Sequence, residues 1–186
     1  MKRIFDSVLA LIMCLSLIPC MLLIGLAIKL SSHGPIIYWS DRVGLGNTIF
    51  KMPKFRSMRV DTPAVATDLL GNPDDWLTPV GWFLRRYSLD ELPQVWSILK
   101  GDMSFVGPRP ALFNQADLIA LRTQMGVNDL RPGVTGWAQI NGRDELSISQ
   151  KVRFDFEYLQ QRSFIFDLKV MWLTLSKVIS SKGVSH

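Results

Sequence analysis

The chain has 186 residues, enough for one domain with a hydrophobic core, and its first thirty residues differ in composition from the rest. The net charge of +5 is mild, and the arginines are scattered instead of forming a basic run, which argues against nucleic acid as a partner. Two cysteines, Cys14 and Cys20, and two histidines, His33 and His186, are too few and too badly spaced for a disulfide scaffold, a zinc site or a histidine-dependent triad. Any catalysis therefore falls to carboxylates and arginines, with or without a metal ion.

Residues 7–28 form an uncharged apolar segment of 22 residues. As a straight helix it would be roughly 33 Å long and could cross a bilayer. The segment is too long for a signal peptide, has a central proline and lacks a small-residue cleavage site near Lys29, so we expect it to be retained.

Pro19 lies near the middle of this segment and has no N–H for the Leu15 carbonyl. We expect the helix to bend there, with the Ser16 hydroxyl able to help the freed carbonyl. Basic residues stand at both ends, so the positive-inside rule does not favour opposite sides. A kinked spanning helix and a re-entrant hairpin of two half-helices both remain open.

The remaining residues predict a small, mainly helical α+β domain. Two β-prone runs, 36–39 and 48–51, flank a Gly-Leu-Gly-Asn turn and predict a hairpin. Helical spacing and end signals predict further helices at 78–86, 88–100, 113–125, 149–162 and 164–180. The last of these is apolar around most of its circumference, which suits a helix in the membrane interface, and an ordinary core helix is the alternative.

The motif SLDELPQ, residues 88–94, has two interpretations. Ser88 followed by Glu91 matches a capping box, with Asp90 complementing the helix dipole. Pro93 argues against this as a full explanation, because it removes a hydrogen bond early in a helix that is otherwise well capped.

Phosphate-binding side chains surround this motif in the sequence. A helix N-terminus is itself an anion site, and an ionised Asp90 beside arginines and a divalent metal could attack a bound diphosphate. Adjacent helical residues project about 100° apart, so Asp90 and Glu91 are expected to have different tasks, one as nucleophile and the other binding metal or moving a proton. The candidate phosphate ligands are Arg85, Arg109, Arg131 and Arg143.

Five motifs occur in one order: KRIFD (2–6), KFRSM (54–58), SLDELPQ (88–94), LKGDMSFVGPRP (99–110) and RPGVTGWAQINGR (131–143). In this order they resemble the bacterial sugar transferases, and more narrowly the short monotopic polyprenyl-phosphate phosphoglycosyl transferases that begin glycan assembly. The resemblance covers nearly the whole chain.

The resemblance implies a two-step reaction. Asp90 would attack the β-phosphorus of a UDP-sugar, release UMP and form a phosphosugar-aspartate, from which polyprenyl (undecaprenyl) phosphate would take the sugar phosphate. Glu91 would help to hold Mg²⁺ or manage protonation. Arg85 and Arg109 match arginines placed to bind phosphates, while Arg131 and Arg143 match the ends of the last motif, where pinning of the loop is the alternative role.

The resemblance also implies a membrane arrangement. Residues 1–30 would form a re-entrant anchor broken at Pro19, although Ile18 stands where the family has a small polar residue, and residues 31–186 would form a catalytic domain on the cytoplasmic face of the bacterial inner membrane. The short chain resembles members that act on N-acetylated amino sugars. The sequence leaves the oligomeric state open, a homodimer included. A membrane-bound glycosyltransferase that releases UDP and a non-catalytic anchored scaffold are the competing functions.

Overall fold

The computed structural model describes residues 1–63, 70–142 and 145–179. Within these ranges the fold is mixed α/β and mainly helical, as predicted, with a long apolar helix at the N-terminus. The helices are α1 (Lys2–Ser31), α2 (Gly81–Arg86), α3 (Gln94–Lys100), α4 (Ala116–Gln124), α5 (Trp137–Ile140), α6 (Ile148–Gln161) and α7 (Phe164–Ile179). The strands are β1 (Ile37–Val43), β2 (Ile49–Phe55), β3 (Ser104–Val106) and β4 (Gly133–Thr135).

The predicted hairpin is present and is longer than expected. β1 pairs antiparallel with β2, from Ile37 opposite Phe55 to Val43 opposite Ile49. Side chains alternate between the faces of a strand, so Ser40 and Met52 lie buried on the inner face, whereas the outer face carries the half-exposed Trp39. The candidate site lies against the inner face.

A second, parallel pair of short strands was not predicted from the sequence. β3 pairs with β4, and the amide N–H of Gly107 extends the pairing by donating to the Thr135 carbonyl at 2.9 Å. The two chains approach so closely that a Cβ on Gly133 would lie 2.1 Å from the Gly107 nitrogen. Glycine at this position therefore allows the segment after β3 to lie directly against the segment around β4.

The hairpin of two half-helices predicted for the anchor is not confirmed, because α1 is one continuous helix that contains Pro19. The expectation for Ser16 was wrong: its hydroxyl donates to the Met13 carbonyl at 3.1 Å and not to that of Leu15. A serine hydroxyl on a helix reaches carbonyls three or four residues back, which puts the preceding carbonyl out of range. Among the described residues, α1 alone is long and apolar enough to cross a membrane.

Both ends of α1 pack against the same globular domain. Near its start, Arg3 donates to the carbonyls of Ile98 and Leu99 at the end of α3, and the Ser104 hydroxyl of β3 donates to Asp6. Near its end, Ile24 and Ile28 join a buried cluster with Phe55 and Leu84. The helix thus contributes to the core, and the predicted boundary at residue 30 stays a prediction.

The outward faces of α1 and α7 are apolar. On α7, Val170 and Asp167 are buried while Ile165 and Trp172 are exposed, so the helix is amphipathic with an apolar outer face. Phe5 of α1 meets Phe164 of α7 edge to face, with ring centroids 5.1 Å apart. The exposed stripe of α1 comprises Ile4, Val8, Leu11, Ile12, Leu15, Ile18, Leu22, Leu23, Leu26 and Leu30.

Candidate active site

The segment before α3 is a tight turn and not the helix start predicted at Ser88. Ser88 has φ 53°, a left-handed conformation that a residue with a side chain rarely adopts, and residues 89–91 form a single 3₁₀ turn. Helix α3 begins at Gln94 with Pro93 as its N-cap, where a missing N–H has no cost, so the proline is accommodated without a broken helix. The capping box is absent because the Ser88 side chain makes no cap hydrogen bond and the Glu91 side chain points to other partners.

Glu91 is held by two cations from distant parts of the chain. Its Oε1 accepts from Lys54 Nζ at 2.8 Å and from Arg109 Nη2 at 2.9 Å. Burial alone would raise the pKa of Glu91, but the charges and hydrogen bonds of Arg109 and Lys54 outweigh burial and hold that pKa well below its usual value. Glu91 is therefore a permanent anion at neutral pH, which suits an organiser of cations better than a proton carrier.

Asp90 is in the opposite electrostatic situation although it is the next residue. Its side chain is buried, and the nearest cation, Lys54 Nζ, lies 4.0 Å from Oδ2. Burial raises the pKa of Asp90, and Lys54 offsets this only in part. The two adjacent acids therefore have opposite pKa shifts, and a carboxylate of raised basicity is in general the better nucleophile.

Lys54 is the main site residue that reasoning from the sequence missed. It lies on the inner side of β2 directly opposite Tyr38, and its ammonium group bridges the two acids. The motif KFRSM carried the residue into the family resemblance without giving it a role. The signal that could have placed Lys54 is the alternation of faces along β2, which puts it on the same side as the buried Met52.

A second missed cation is Arg42 on β1. Its Nη1 donates to the Pro110 carbonyl at 3.1 Å and its Nε to the Ser40 hydroxyl at 2.9 Å. Burial and the nearby charge of Arg109 lower the pKa of Arg42 to about 10, so it remains charged at neutral pH. Arg42 thus adds a positive charge next to the candidate phosphate ligand Arg109.

The predicted phosphate ligands divide into those near Asp90 and those elsewhere. Arg109 contacts Glu91, and the charges of Arg85 and Arg109 both lower the pKa of Asp90, so these two belong to the site. Arg131 donates its Nε to the Gly101 carbonyl at 3.1 Å, at the end of α3 opposite Asp90, which fits the alternative of a loop pin. Its phosphate-binding role stays a prediction, and Arg143 lies outside the described residues.

Four cations lie close to the two carboxylates in the described part of the chain. The charges of Lys54, Arg85 and Arg109 act on Asp90, and Arg42 lies beside Arg109. The diphosphate of a nucleotide sugar carries two negative charges. Clustered positive charge attracts this class of anion.

The described residues contain no cluster of three or more His, Cys, Asp or Glu that could hold a metal ion by itself. Magnesium needs fewer protein ligands, since it is usually bound by one or two carboxylates together with substrate phosphates and water. Asp90 and Glu91 supply two adjacent carboxylates, one of them already engaged by Lys54 and Arg109. These two carboxylates therefore fit a Mg²⁺ ion that is bound by the protein and the substrate phosphates together.

The two pKa directions give a testable pH dependence. Replacing Lys54 with Met removes the charge that lowers the pKa of Asp90, so that pKa should rise further and the acid limb of the activity profile should move to higher pH. We also expect a loss of maximal activity of about 10²-fold, typical of removing one electrostatic stabiliser. The measurement is the initial rate of nucleotide release between pH 5 and 9.

The matched control is Lys51→Met on the same strand, where the ammonium group is exposed and pairs with Asp41 on the outer face. Its profile should coincide with that of the wild type. An acid limb unchanged in the Lys54 variant would show that Asp90 is not the group whose ionisation limits the rate.

Known proteins are similar to this chain over most of its length. The sequence profile described as bacterial sugar transferase matches residues 1–181. The UDP-glucose:undecaprenyl-phosphate glucose-1-phosphate transferase of Escherichia coli K12 is 43% identical over 98% of this chain, and the chain spans only 41% of that relative's length. The uncharacterized sugar transferase EpsL of Bacillus subtilis 168 is 39% identical, with 100% of this chain and 91% of the relative covered.

A third relative has a name that refers to a biosynthetic process. The exopolysaccharide production protein ExoY of Sinorhizobium fredii is 36% identical over 98% of this chain and 87% of its own length. The profile match over nearly all residues and the coverage of relatives of similar size lead to one conclusion. The chain belongs to the bacterial sugar transferase family.

Proposed function

We propose that the protein transfers a sugar 1-phosphate from a UDP-sugar to undecaprenyl phosphate and releases UMP, with Asp90 as the nucleophile. The observation that carries the proposal is the pairing of a buried carboxylate of raised pKa, Asp90, with a neighbour of lowered pKa, Glu91, inside a group of four cations. The name of the Escherichia coli relative supports the substrate classes. Because the chain spans 41% of that relative, the activity is carried over as a proposal.

In the first step an Asp90 carboxylate oxygen would form a bond to the β-phosphorus while the bond from that phosphorus to the bridging oxygen breaks. The electron pair leaves with the bridging oxygen on UMP. Lys54 and Arg109, which Glu91 holds at 2.8 and 2.9 Å, would stabilise the phosphate oxygens, and Arg85 would add its charge. In the second step an oxygen of undecaprenyl phosphate attacks the same phosphorus and frees Asp90.

The identity of the sugar is a finer part of the proposal. The name of the Escherichia coli relative contains UDP-glucose, which makes this the first donor to test. The N-acetylated amino sugar expected from the sequence is the second. A screen of both donors with undecaprenyl phosphate tests the reaction class, since phosphosugar transfer gives UMP and simple glycosyl transfer gives UDP. Release of UDP would overturn the proposal in favour of the competing glycosyltransferase.

Magnesium is part of the proposal because a carboxylate has to approach a diphosphate of like charge. Asp90 and Glu91 would hold the ion together with substrate oxygens, and the ion would supply Lewis-acid neutralisation of the phosphates. We expect EDTA to reduce the rate of UMP release at least tenfold and added Mg²⁺ to restore it. Full activity in the chelator, with the buffer shown to be metal-free, would leave the four cations as the whole electrostatic clamp.

We also propose that the protein lies on the cytoplasmic face of the inner membrane with both ends of α1 on that side. The support is physical: a helix whose two ends pack on one domain cannot place them on opposite sides of a bilayer, and its exposed stripe adjoins the apolar face of α7. The embedded helix would also bring the site near the lipid acceptor.

The topology is tested with single cysteines in a background without Cys14 and Cys20. One cysteine is placed ahead of Lys2 and another replaces the exposed Lys29. Both should resist an impermeant thiol reagent added to intact cells and react once the inner membrane is opened. Reaction of the N-terminal cysteine from outside would show a spanning helix and refute the same-side arrangement.

A further inference from the structure

Arg109 lies between two prolines, and this sets how its position is fixed. Pro108 and Pro110 have no N–H, so the backbone of this segment forms hydrogen bonds mainly through its carbonyl oxygens. The carbonyl of Arg109 accepts a hydrogen bond from Arg122 Nη1 at 2.8 Å, and the carbonyl of Pro110 accepts from Arg42 at 3.1 Å. Two arginines from different elements therefore hold two consecutive carbonyls, that of Arg109 and that of the next residue.

Arg122 is in turn fixed by a buried acid. Its Nε and Nη2 donate to Oδ2 of Asp155 at 2.9 and 2.7 Å, and this contact joins α4 to α6. Asp155 is 1% exposed. One edge of the Arg122 guanidinium thus binds the acid, and the remaining nitrogen, Nη1, donates to the Arg109 carbonyl.

A buried ion pair is a poor source of stability, because the loss of hydration of both groups offsets their attraction. An apolar contact could join the same two helices without that cost. The pair does fix an orientation. Because the guanidinium is planar and two of its nitrogens are bound to Asp155, its third nitrogen, Nη1, is directed at the Arg109 carbonyl. The side chain of Arg109 is itself 34% exposed, so its surroundings do not enclose it fully.

We propose that Asp155, acting through Arg122, positions Arg109 for phosphate binding. Asp155 and Arg122 are positioning residues that do not touch the substrate. The proposal rests on the proposed function, because Arg109 has to bind the diphosphate for its position to matter. Displacement of a phosphate ligand by about 1 Å is enough to cost a large factor in rate.

The test is a double-mutant cycle on kcat/KM for the UDP-sugar, measured as UMP release. Asp155→Asn should lower kcat/KM about tenfold in the wild-type background and less than about twofold in an Arg109→Lys background, because the positioned group has already been changed. The loss of thermal stability should be the same in both backgrounds, since it comes from the ion pair. A purely structural role would give the same factor in rate in both backgrounds.

Arg122→Lys separates charge from geometry and covers the case in which Asp155→Asn folds poorly. Lysine can keep the ion pair with Asp155, but it has a single ammonium group instead of a planar fork and cannot donate to the Arg109 carbonyl at the same time. We expect near wild-type stability with a rate loss of about tenfold. A Lys variant with wild-type kcat/KM would overturn the positioning role.

The matched control is Asp167→Asn, a second buried carboxylate, which pairs with Lys2 and accepts from Tyr158. Its effects on rate should be the same with and without Arg109→Lys. If the wild type releases UMP and the Asp155 effect is equally large in the Arg109→Lys background, the positioning role is refuted while the proposed function stands. If the wild type releases no UMP from any donor, the proposed function is refuted and this role with it.

Discussion

Replacing Asp90 with Asn is expected to reduce UMP release by at least about 10³-fold, because an amide has nearly the shape of a carboxylate but is a poor nucleophile. The fold should persist. Burial raises the pKa of Asp90, so the ionised side chain destabilises the folded protein above its folded pKa and the cost disappears as the pH falls. Asparagine removes that cost at neutral pH, and we expect a melting temperature that is unchanged or higher.

The control for Asp90→Asn is Asp6→Asn, which alters a carboxylate of similar burial that accepts from Ser104 and lies outside the site. This control should lose stability and keep activity. An Asp90 variant that retains a few per cent of wild-type turnover, in a preparation free of wild-type protein, would exclude the covalent role.

Replacing Glu91 with Gln is expected to lower the rate of UMP release about 10²-fold, because Lys54 and Arg109 lose the anion that holds both. Lys54 lies 4.0 Å from Asp90 and would be free to pair with it, which makes Asp90 less nucleophilic. The pKa of Glu91 is lowered in the folded state, so its stabilising contribution is present at neutral pH and is lost as the pH falls through the folded pKa. The variant should therefore be less stable at pH 7 by about 2 kcal/mol.

Rapid-mixing measurements with UDP-sugar alone assign the defect of the Glu91 variant to a step. A slow first release of UMP is the expected result. A first release at the wild-type rate, followed by an accumulating adduct, would place Glu91 in the second step and contradict a role in holding Lys54 and Arg109 for the first. Glu157→Gln, which removes a carboxylate paired with Arg153 outside the site, is the control and should not slow UMP release.

Local sequence signals predicted much of the fold. The hairpin, α6 and α7 were found within a few residues because alternation or helical spacing runs through each of them. β3 and β4 were missed because three-residue strands are too short to show a period, and their pairing depends on the close approach of Gly107 and Gly133. In α1, Pro19 removed one backbone N–H, as the sequence requires, but the sequence did not predict that the helix would continue through it.

The candidate site shows the same division between local and long-range information. The capping box predicted at Ser88 considers only residues that are neighbours in the sequence. It does not form because Glu91 instead accepts hydrogen bonds from Lys54 and Arg109, which come from other parts of the chain. Lys54 and Arg42 could not be placed at the site before the register of the hairpin was known. Asp90, Glu91, Arg85 and Arg109 were predicted as site residues from the sequence and come together in the structure, and their catalytic roles stay proposals.

The covalent role of Asp90 is tested most directly by incubating the protein with UDP-sugar in the absence of undecaprenyl phosphate. We predict that each protein molecule releases one UMP and gains the mass of one sugar phosphate, that peptide mapping places the adduct on Asp90, and that undecaprenyl phosphate then removes it. UMP release that begins only when undecaprenyl phosphate is added, with no adduct at any time, would contradict the account.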